Sequence, residues 1–433
     1  MTAAFLLTVA MAAAGGTIDV PPGSYVGDLV IDRPVRLVGH GRPTLIGSGA
    51  GTVIRVLAAG VTIEGFDIDG REGGDVSQDS SGIYVAAPRA TIRDCRIRRA
   101  FFGVYLNGAD GSVVERTAIT GMAGRDPGEQ GSGIHVFNTR GFRLTDNTIR
   151  FSRDGIYIQS SPNGIVLRNT ASDLRYGLHY MFSDDNRFED NVFERGAAGA
   201  ALMYSRRLEF RRNRFVHNRG FASVGLLLQV CDDVVAEDNL IADNARGVFM
   251  DGTRRTVFRR NLIAASDTGL VLYDSVRDSR FEGNAFIGNF SPLQLVGRRT
   301  DSILDGNYWS DSRGTDLDGD GVQDRPYRVS NVFDHLRGNL TAADLFAQGL
   351  GAAVLARAED AFPVLDPVPV VDAHPLARPP VLSNVPRPPS RETSGKGAAV
   401  ASGVVAAMVL LTGWYTKRTA EPRTPGTSEP VCR

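Results

Sequence analysis

Residues 155–181 read GIYIQSSPNGIVLRNTASDLRYGLHYM. A five-residue unit with glycine at its head, GIYIQ, returns 22 residues later as GLHYM. The same kind of unit recurs along the chain, and its leading glycines are Gly82, Gly103, Gly133, Gly155, Gly177, Gly199, Gly225, Gly247 and Gly269. Short alternating segments at a period of about 22 residues, without helical periodicity, are typical of a parallel β-solenoid.

A second column of residues keeps step with the glycines. Its members are Asn147, Asn169, Asn191, Asn213, Asn239, Asn261, Asn284 and Asn307. Stacked asparagine amides can hydrogen-bond along a solenoid, so we interpret this column as structural. We interpret the glycine column as a source of backbone freedom at the corner before each strand.

The two columns predict an all-β fold, a right-handed parallel β-helix of roughly thirteen coils over residues 15–310. A leucine-rich repeat has a similar period, but its L-x-x-L-x-L pattern is absent from the sequence. Because each coil cannot bury its own apolar side, stacked neighbours must provide a continuous core.

The composition excludes several classes of protein. Of 433 residues, 48 are Lys or Arg and 49 are Asp or Glu, which gives a net charge of −1. This balance excludes a strongly basic nucleic-acid binder, so no nucleic acid partner is expected. The three cysteines are too few and too scattered for a disulfide scaffold or a zinc ribbon.

The two ends of the chain suggest export and anchoring. Residues 1–14 carry an apolar run that ends in small residues, which favours a signal peptide over a buried helix. Residues 363–396 form a proline-rich linker, and residues 397–415 are uncharged and long enough for a transmembrane helix. Lys417 and Arg418 then place the tail, residues 416–433, in the cytoplasm and the repeat domain in the periplasm at the inner membrane.

Residues 311–362 are predicted to form an acidic loop and a helical cap after the last coil. Part of this segment, 341–361, has an amphipathic helical pattern that could cover the open end of the solenoid or dock onto a membrane partner. The loop spacing resembles the first part of an EF-hand and predicts a calcium site, although Tyr327 stands where that motif has its bidentate glutamate. The alternative is an acidic turn without a cation. The candidate ligands are Asp316, Asp318, Asp320 and Asp324.

Alternation within the glycine-headed strands predicts which side chains face outward. Residues one and three positions after each glycine are apolar and should point inward, so residues two and four positions after it should point outward. Insertions at 70–81, 122–131 and 219–224 each precede such a strand, and insertions at one corner of a solenoid often flank its binding face. The outward columns are rich in aromatic and amide residues, and the predicted binding face is Tyr84, Tyr105, Phe137, Tyr157, Gln159, Phe249 and Tyr273.

Thioether and imidazole groups cluster within these outward columns. Met181 and Met203 should be neighbours on adjacent coils, and His179 lies two residues from Met181 on the same side of its strand. This soft ligand set suits Cu(I), so we predict a copper site at these three residues, with His135 as a weaker candidate. The alternative is that the methionines and aromatic rings only coat a hydrophobic protein interface.

The sequence also resembles a known family. The segments RYGLHYMFSDDN (175–186), GVFMDGT (247–253), GNYWSD (306–311) and DLDGDGVQDRPY (316–327) are similar to those of the NosD family, and the resemblance covers roughly 17–380. It implies a periplasmic protein in the maturation of nitrous oxide reductase. It further implies an ABC-transporter ATPase and permease, a copper-chaperone lipoprotein and the reductase as partners, with copper as the transient cofactor.

Three functions remain open at this point. The first is a rigid rod that binds or relays copper, or another cargo of the transporter such as a sulfur species. The second is a carbohydrate-binding or carbohydrate-active β-helix, a lyase, epimerase or hydrolase. The outward columns hold one carboxylate, Asp251, and no close acid pair, which argues against an enzyme. The third is a docking rod without a metal.

Overall fold

The computed structural model describes residues 15–49, 51–72, 79–329, 354 and 370–386. Each coil contributes three short strands to three faces, and successive coils pair in parallel. One face is a sheet of 13 strands, one from each coil. This architecture confirms the prediction of an all-β parallel β-helix of about thirteen coils and of the right-handed type.

The strands are grouped by face. The first face holds β1 (Thr17–Val20), β4 (Arg36–Gly39), β7 (Thr62–Glu64), β10 (Thr91–Arg93), β13 (Val113–Glu115), β16 (Arg143–Thr145), β19 (Ile165–Leu167), β22 (Arg187–Glu189), β29 (Val257–Arg259), β32 (Arg280–Glu282), β35 (Ile303–Asp305) and β38 (Val371–Asp372). The second face, the 13-stranded sheet, holds β2 (Ser24–Val26), β5 (Thr44–Ile46), β8 (Asp67–Asp69), β11 (Arg96–Arg98), β14 (Ala118–Thr120), β17 (Thr148–Arg150), β20 (Thr170–Ser172), β23 (Val192–Glu194), β25 (Arg214–Val216), β27 (Leu240–Ala242), β30 (Leu262–Ala264), β33 (Ala285–Ile287) and β36 (Tyr308–Trp309).

The third face, called here the glycine-headed face, carries the candidate site. It holds β3 (Leu29–Ile31), β6 (Ile54–Val56), β9 (Ser81–Val85), β12 (Phe102–Asn107), β15 (Ile134–Phe137), β18 (Asp154–Gln159), β21 (Tyr176–Met181), β24 (Ala198–Arg211), β26 (Val224–Glu237), β28 (Arg246–Asp251), β31 (Thr268–Tyr273) and β34 (Ser291–Val296). The 14-residue strands β24 and β26 continue around the corner onto the first face. A short 3-10 helix, Pro127–Glu129, lies in the second insertion, and β37 (Tyr327–Arg328) pairs antiparallel with β38.

The core follows the predicted alternation. In β18 the side chains of Ile156 and Ile158 are fully buried, and Leu178 and Tyr180 are fully buried at the equivalent positions of β21. Aromatic rings also stack from coil to coil inside the rod, as Phe188 and Phe210 do with a centroid distance of 4.6 Å. The parallel register therefore turns each inward position into a continuous apolar column.

The glycine column has a different cause from the predicted one. None of its nine glycines has a left-handed φ angle. A Cβ on Gly155 would instead lie 2.6 Å from the carbonyl oxygen of Gly177 and 2.8 Å from the core Cβ of Ala171. Glycine is required because the next coil and the core approach its Cα too closely for a side chain, and the prediction of conformational freedom was wrong.

The asparagine column is a hydrogen-bonded ladder, as predicted. The amide Nδ2 of Asn169 donates to Oδ1 of Asn191 at 3.0 Å, and the backbone N–H of Asn169 donates to the same oxygen at 2.9 Å. The pattern repeats from Asn147 to Asn307. All of these amides are buried, so the ladder satisfies backbone groups at a corner that water does not reach.

The positions directly before the asparagine column alternate in charge from coil to coil. Arg168 pairs with Asp146 at 2.7 Å, and Arg212 pairs with Asp190 at 2.9 Å. The full series is Asp94, Arg116, Asp146, Arg168, Asp190, Arg212, Asp238 and Arg260, all with left-handed φ angles. These pairs are partly exposed, so each stabilises the fold only modestly.

The C-terminal end of the rod is closed by a segment predicted to be a linker. Strand β38 pairs with β35, and Leu376 N donates to the carbonyl oxygen of Asn307. Asp372 is fully buried and accepts hydrogen bonds from the Asn307 side chain and from Trp309. Residues 371–376 are therefore packed on the rod and do not form the predicted linker, because they supply Asp372, the acceptor at which the asparagine ladder ends.

Several predicted segments lie outside the described residues. These are the signal peptide 1–14, the helical part of the cap at 341–361 apart from residue 354, the transmembrane helix 397–415 and the tail 416–433. Across the stretches that the structure does describe, we find no helix of sufficient length and apolarity to cross a bilayer.

Candidate functional site

The outward side chains of the glycine-headed face stand in the predicted register. Tyr157 is the strand partner of His179, and Met181 is the partner of Met203. His179 is followed on the next coil by Ala201. The remaining members of the two columns are also in register, from Tyr84 and Tyr105 to Phe249. Tyr273 lies on the coil after Phe249.

Part of the predicted binding face is covered. Tyr84 and Tyr105 are only 8% and 7% exposed, because their rings pack edge to face against each other and Tyr105 also packs against Phe102. They form a small aromatic cluster rather than an open surface, which corrects the prediction for these two residues. The partly exposed members are Phe137, Tyr157, Gln159, Phe249 and Tyr273.

His179 is held by a buried ion pair. Its Nδ1 lies 3.1 Å from Oδ2 of Asp154, and Arg175 donates two hydrogen bonds to the same carboxylate at 2.7 and 2.9 Å. Because a carboxylate can only accept, the shorter contact with Asp154 places an N–H on Nδ1, while Nη2 of Arg175 lies 3.4 Å from the same nitrogen. Within the described residues Nε2 makes no hydrogen bond, so its lone pair is available to a ligand.

Asp154 stays ionised although its side chain is buried. It is 2% exposed, and burial alone would raise the pKa of its carboxyl group. Hydrogen bonds from His179 and Arg175 outweigh burial and hold the pKa of Asp154 below its ordinary value. A metal-binding histidine commonly donates its second ring N–H to such a carboxylate, which fixes the ring orientation and raises the basicity of the other nitrogen.

The two thioethers lie beside this histidine. Met181 and Met203 are strand partners on adjacent coils, about 4.8 Å apart at the backbone, and both are partly exposed. The hydroxyl oxygen of Tyr157 lies 3.7 Å from Sδ of Met181. Met203 packs against the small apolar cluster of Ala198, Ala201 and Val224. The donor set is one imidazole nitrogen and two soft sulfurs, which fits Cu(I) and suits calcium or magnesium poorly.

The structure does not bring His135 to this cluster. The ring of Tyr157 lies between the two histidines, stacked 4.4 Å from His135 and edge-on 4.8 Å from His179. Burial lowers the pKa of His135 to about 4, and its buried Nδ1 has no hydrogen-bond partner. His135 is therefore a neutral member of an aromatic column, two coils from His179.

The apolar residues at the far corner of the methionine strands are exposed. Phe182 and Tyr204 follow Met181 and Met203, and their rings stack at 5.1 Å. Together with Val230 they have left-handed φ angles of 50–53° and are 47–54% exposed. This conformation is unfavourable for bulky and β-branched residues, and such strain is often retained at functional surfaces.

The acidic loop gathers three of the four predicted calcium ligands. Carboxylate oxygens of Asp316, Asp318 and Asp320 lie within 4.8 Å of one another. Asp324 is turned to its own loop, where its Oδ2 accepts hydrogen bonds from Leu317 N and Thr315 Oγ1. The carboxylates of Asp316, Asp318 and Asp320 also accept hydrogen bonds from backbone N–H groups of the loop. These bonds are equally typical of an acidic turn without a cation, so the calcium site stays a prediction.

The sequence reasoning missed Asp154 and Arg175. Strict alternation counted from the glycine places the preceding residue inward, whereas the Asp154 carboxylate contacts the outward His179. A Cβ on Gly155 would point at the core, as the side chain of Ile156 does, so the alternation slips by one at the glycine. The sequence shows Asp154 and Arg175 just before two successive glycine-headed strands, and this pair of opposite charges is the pattern from which their contact could have been predicted.

Comparisons with known proteins agree with this architecture. A family model described as periplasmic copper-binding protein (NosD) matches residues 115–333. A relative from Stutzerimonas stutzeri, described as a probable ABC transporter binding protein NosD, is 32% identical over 379 residues, which cover 83% of this chain and 86% of the relative. A relative from Pseudomonas aeruginosa with the same description is 31% identical over 392 residues, which cover 86% of this chain and 90% of the relative.

Among solved structures, a family 28 exopolygalacturonase from Yersinia enterocolitica matches with a TM-score of 0.53 and 14% identity. The match covers 70% of this chain and 74% of that chain, and at this identity it supports the β-helix fold alone. The family match spans half of the chain, and the two relatives span most of it. The chain belongs to the NosD family.

Proposed function

We propose that this protein is a periplasmic copper-binding and relay module that works with an ABC transporter in the maturation of nitrous oxide reductase. The description of its family as periplasmic and copper-binding supports the cargo and the compartment. The naming of two relatives as probable ABC transporter binding proteins supports the transporter. We assign the copper site to His179, Met181 and Met203.

The pair of Asp154 and His179 is the observation that carries this assignment. The 3.1 Å contact at Nδ1 leaves Nε2 as the coordinating atom, and the two thioethers lie on the same outward face. Two thioethers and one imidazole favour Cu(I) over harder cations. Neither described cysteine offers a thiolate, because burial raises the pKa of Cys95 to about 11 and that of Cys231 to about 12.

The site is built to hold a cargo ion transiently. His179 is 12% exposed at the side chain, while Met181 and Met203 are partly exposed, so a partner can reach the ligands from one side. Three neutral ligands compensate little of the ion's charge, and the nearest carboxylate, Asp154, is already paired with Arg175. This arrangement favours binding that a partner protein can reverse by ligand exchange.

The partners follow from the same assignment. We infer that the rod docks on the transporter permease, whose ATPase lies across the membrane, and exchanges copper with a chaperone lipoprotein and with nitrous oxide reductase. Anchoring through residues 397–415 rests on the sequence alone. Separating periplasmic and membrane fractions tests it, because recovery of the full-length chain in the soluble periplasmic fraction would contradict an anchor.

A carbohydrate-active enzyme is the alternative that the fold raises. Its acid–base chemistry would need two accessible carboxyl groups on the glycine-headed face. Asp154 is buried and paired with Arg175 and His179, so it is not placed to transfer a proton to a sugar. Incubation with oligouronates tests this alternative, and release of unsaturated or shortened products would revive it.

An anaerobic Cu(I) competition titration of the full-length chain tests the proposed site. We expect one Cu(I) to bind tightly and the His179→Ala, Met181→Ala, Met203→Ala triple variant to lose that binding. His40→Ala is the matched control, since His40 pairs with Asp19 at 2.7 Å beside strand β1 at the other end of the rod and has no thioether assigned beside it. Equal binding by parent and triple variant would move the site elsewhere, and no binding by the parent would leave a docking rod.

A further inference from the structure

A cavity of about 430 Å³ opens directly beside Met203. It exists because the outward column shrinks to Ala201 between His179 and Leu227, and the neighbouring Ala198 is equally small. The side chains of Tyr176 and Val224 and the insertion at 219–224 form its walls. This gap in the outward column thus lies next to one of the proposed copper ligands.

The lining of the cavity selects a neutral occupant. Among the described lining residues there is no carboxylate, and the one charged group is Arg219. Its guanidinium is already bound by Asp243 at 2.7 Å and by Asp267 at 2.5 Å. A buried thiolate or carboxylate would therefore lack a free counter-charge here, whereas an apolar side chain would lose nothing by leaving water.

The outer edges of the same region expose large apolar side chains. Phe221, in the insertion that lines the cavity, is fully exposed. Phe182 and Tyr204 are about half exposed on the opposite side of the two methionines. Exposed aromatic residues close to an apolar cavity are typical of a surface that meets another protein.

We propose that this cavity is an access port that admits a methionine side chain of a partner protein to the copper site. A thioether is neutral, apolar, unbranched and soft, so it meets the demands of the lining and can bind Cu(I) in exchange for Met203. No redox change takes place, since a partner Cu–S bond breaks as a bond to Met203 forms. The inference rests on the proposed copper site and names the partner group that reaches it.

Copper delivery from two donors tests the port. Cu(I) is supplied anaerobically to the full-length chain either as its acetonitrile complex or as a complex with a synthetic peptide of three methionines. Bicinchoninate, added after rapid mixing, reports the copper that has not been taken up. We expect Ala201→Leu, which fills the cavity, to slow uptake from the methionine peptide at least about tenfold and to change uptake from acetonitrile by less than about twofold.

The controls separate the port from the site itself. Val271→Leu enlarges a residue of the same column two coils beyond Leu227, outside the cavity, and should leave both uptake rates unchanged. Phe221→Ser alters a fully exposed ring, so it cannot disturb the core, and should slow uptake from the methionine peptide alone.

Three results would overturn the inference or its basis. Unchanged peptide uptake by Ala201→Leu and Phe221→Ser would remove the port while leaving the copper site in place. Faster delivery from a three-cysteine peptide, equally slowed by Ala201→Leu, would replace the thioether by a thiolate. Failure of the parent to take up copper from acetonitrile would instead refute the proposed function itself.

Discussion

The indole Nε1–H of Trp309 donates a 2.9 Å hydrogen bond to Oδ2 of Asp372, which lies 63 residues further along the chain. The same oxygen accepts the side chain and the backbone N–H of Asn307, the last member of the asparagine ladder. Asp372 thus accepts the hydrogen bonds that the asparagine of the following coil accepts elsewhere in the ladder. The end of the rod is closed by hydrogen bonds to one buried carboxylate as well as by the stacking of Trp309 on Phe286.

Asp372→Ala should destabilise this end of the rod. It leaves buried donors of Asn307 and Trp309 without an acceptor, so we expect the free energy of unfolding to fall by about 3 kcal/mol or more. Fluorescence of Trp309 in a Trp414→Phe background measures the loss, with an emission shift to longer wavelength at lower denaturant. Asp305→Ala is the control, because Asp305 and its partner His374 are exposed, and an equal effect of both changes would contradict the assigned role.

Asp154→Asn should weaken copper binding without unfolding the rod. Loss of the carboxylate that orients His179 is expected to reduce Cu(I) affinity about 10–100-fold. Asp173→Asn is the matched control, because it removes an ion pair between adjacent coils, with Arg195 at 2.8 Å, that has no contact with His179. A positioning role also predicts that the slowly exchanging Nδ1–H signal of His179 in the proton NMR spectrum disappears in Asp154→Asn alone, and equal copper affinity would refute it.

His135 should make the protein sensitive to mild acid. Burial lowers its pKa from 6.5 to about 4, so the unfolded chain binds a proton in this interval that the folded chain does not. The free energy of unfolding is therefore highest above pH 6.5, where His135 is neutral in both states. It decreases by up to about 3 kcal/mol as the pH falls towards 4. His135→Phe should shrink the difference in denaturation midpoint between pH 7 and pH 4.5.

The same variant also tests the copper assignment. Tyr157 separates His135 from His179, so His135→Phe should leave Cu(I) affinity unchanged. The nearby ionisable groups that bear on His135 are Asp154, His179 and Arg153, and all three remain in the variant. Identical acid sensitivity of parent and variant would show that His135 is not the group that titrates.

Gly155→Ala should be costly although the backbone angle of Gly155 is ordinary. The added methyl group would meet the Gly177 carbonyl oxygen at 2.6 Å and Leu174 Cδ1 at 2.9 Å, so we expect a loss of about 1–3 kcal/mol. Gly51→Ala is the control, because within the described residues no atom beyond its chain neighbours lies within 4 Å of the position that its Cβ would take. Thermal unfolding compares the two, and a tolerated Gly155→Ala would argue against close packing as the cause of the column.

The acidic loop predicts a response to calcium. If Asp316, Asp318 and Asp320 hold Ca²⁺, adding it after EDTA treatment should raise the melting temperature, since a ligand of the folded state stabilises by about 2.7 kcal/mol at a hundred times its Kd. Asp318→Asn with Asp320→Asn should abolish the shift. A melting temperature that EDTA leaves unchanged would favour the acidic turn.

The repeat made much of the fold and part of the site predictable from the sequence. The period places Tyr157 beside His179 and Met181 beside Met203, because a parallel solenoid brings residues one repeat apart into register. The burial of Tyr84 and Tyr105 was not predictable, since it depends on Phe102, which alternation does not assign to the same cluster. The role of Asp154 was hidden by the slip in alternation at Gly155.

The sequence by itself determined the solenoid, its register and the soft character of its outward columns, because these depend on a short period repeated along the chain. Only the tertiary structure decided that His135 is set apart from His179, that Asp154 orients His179, that a cavity opens over Ala201 and that Asp372 ends the ladder. Ring orientation, cavity shape and a contact across 63 residues depend on how side chains pack in three dimensions, and a one-dimensional pattern does not specify them.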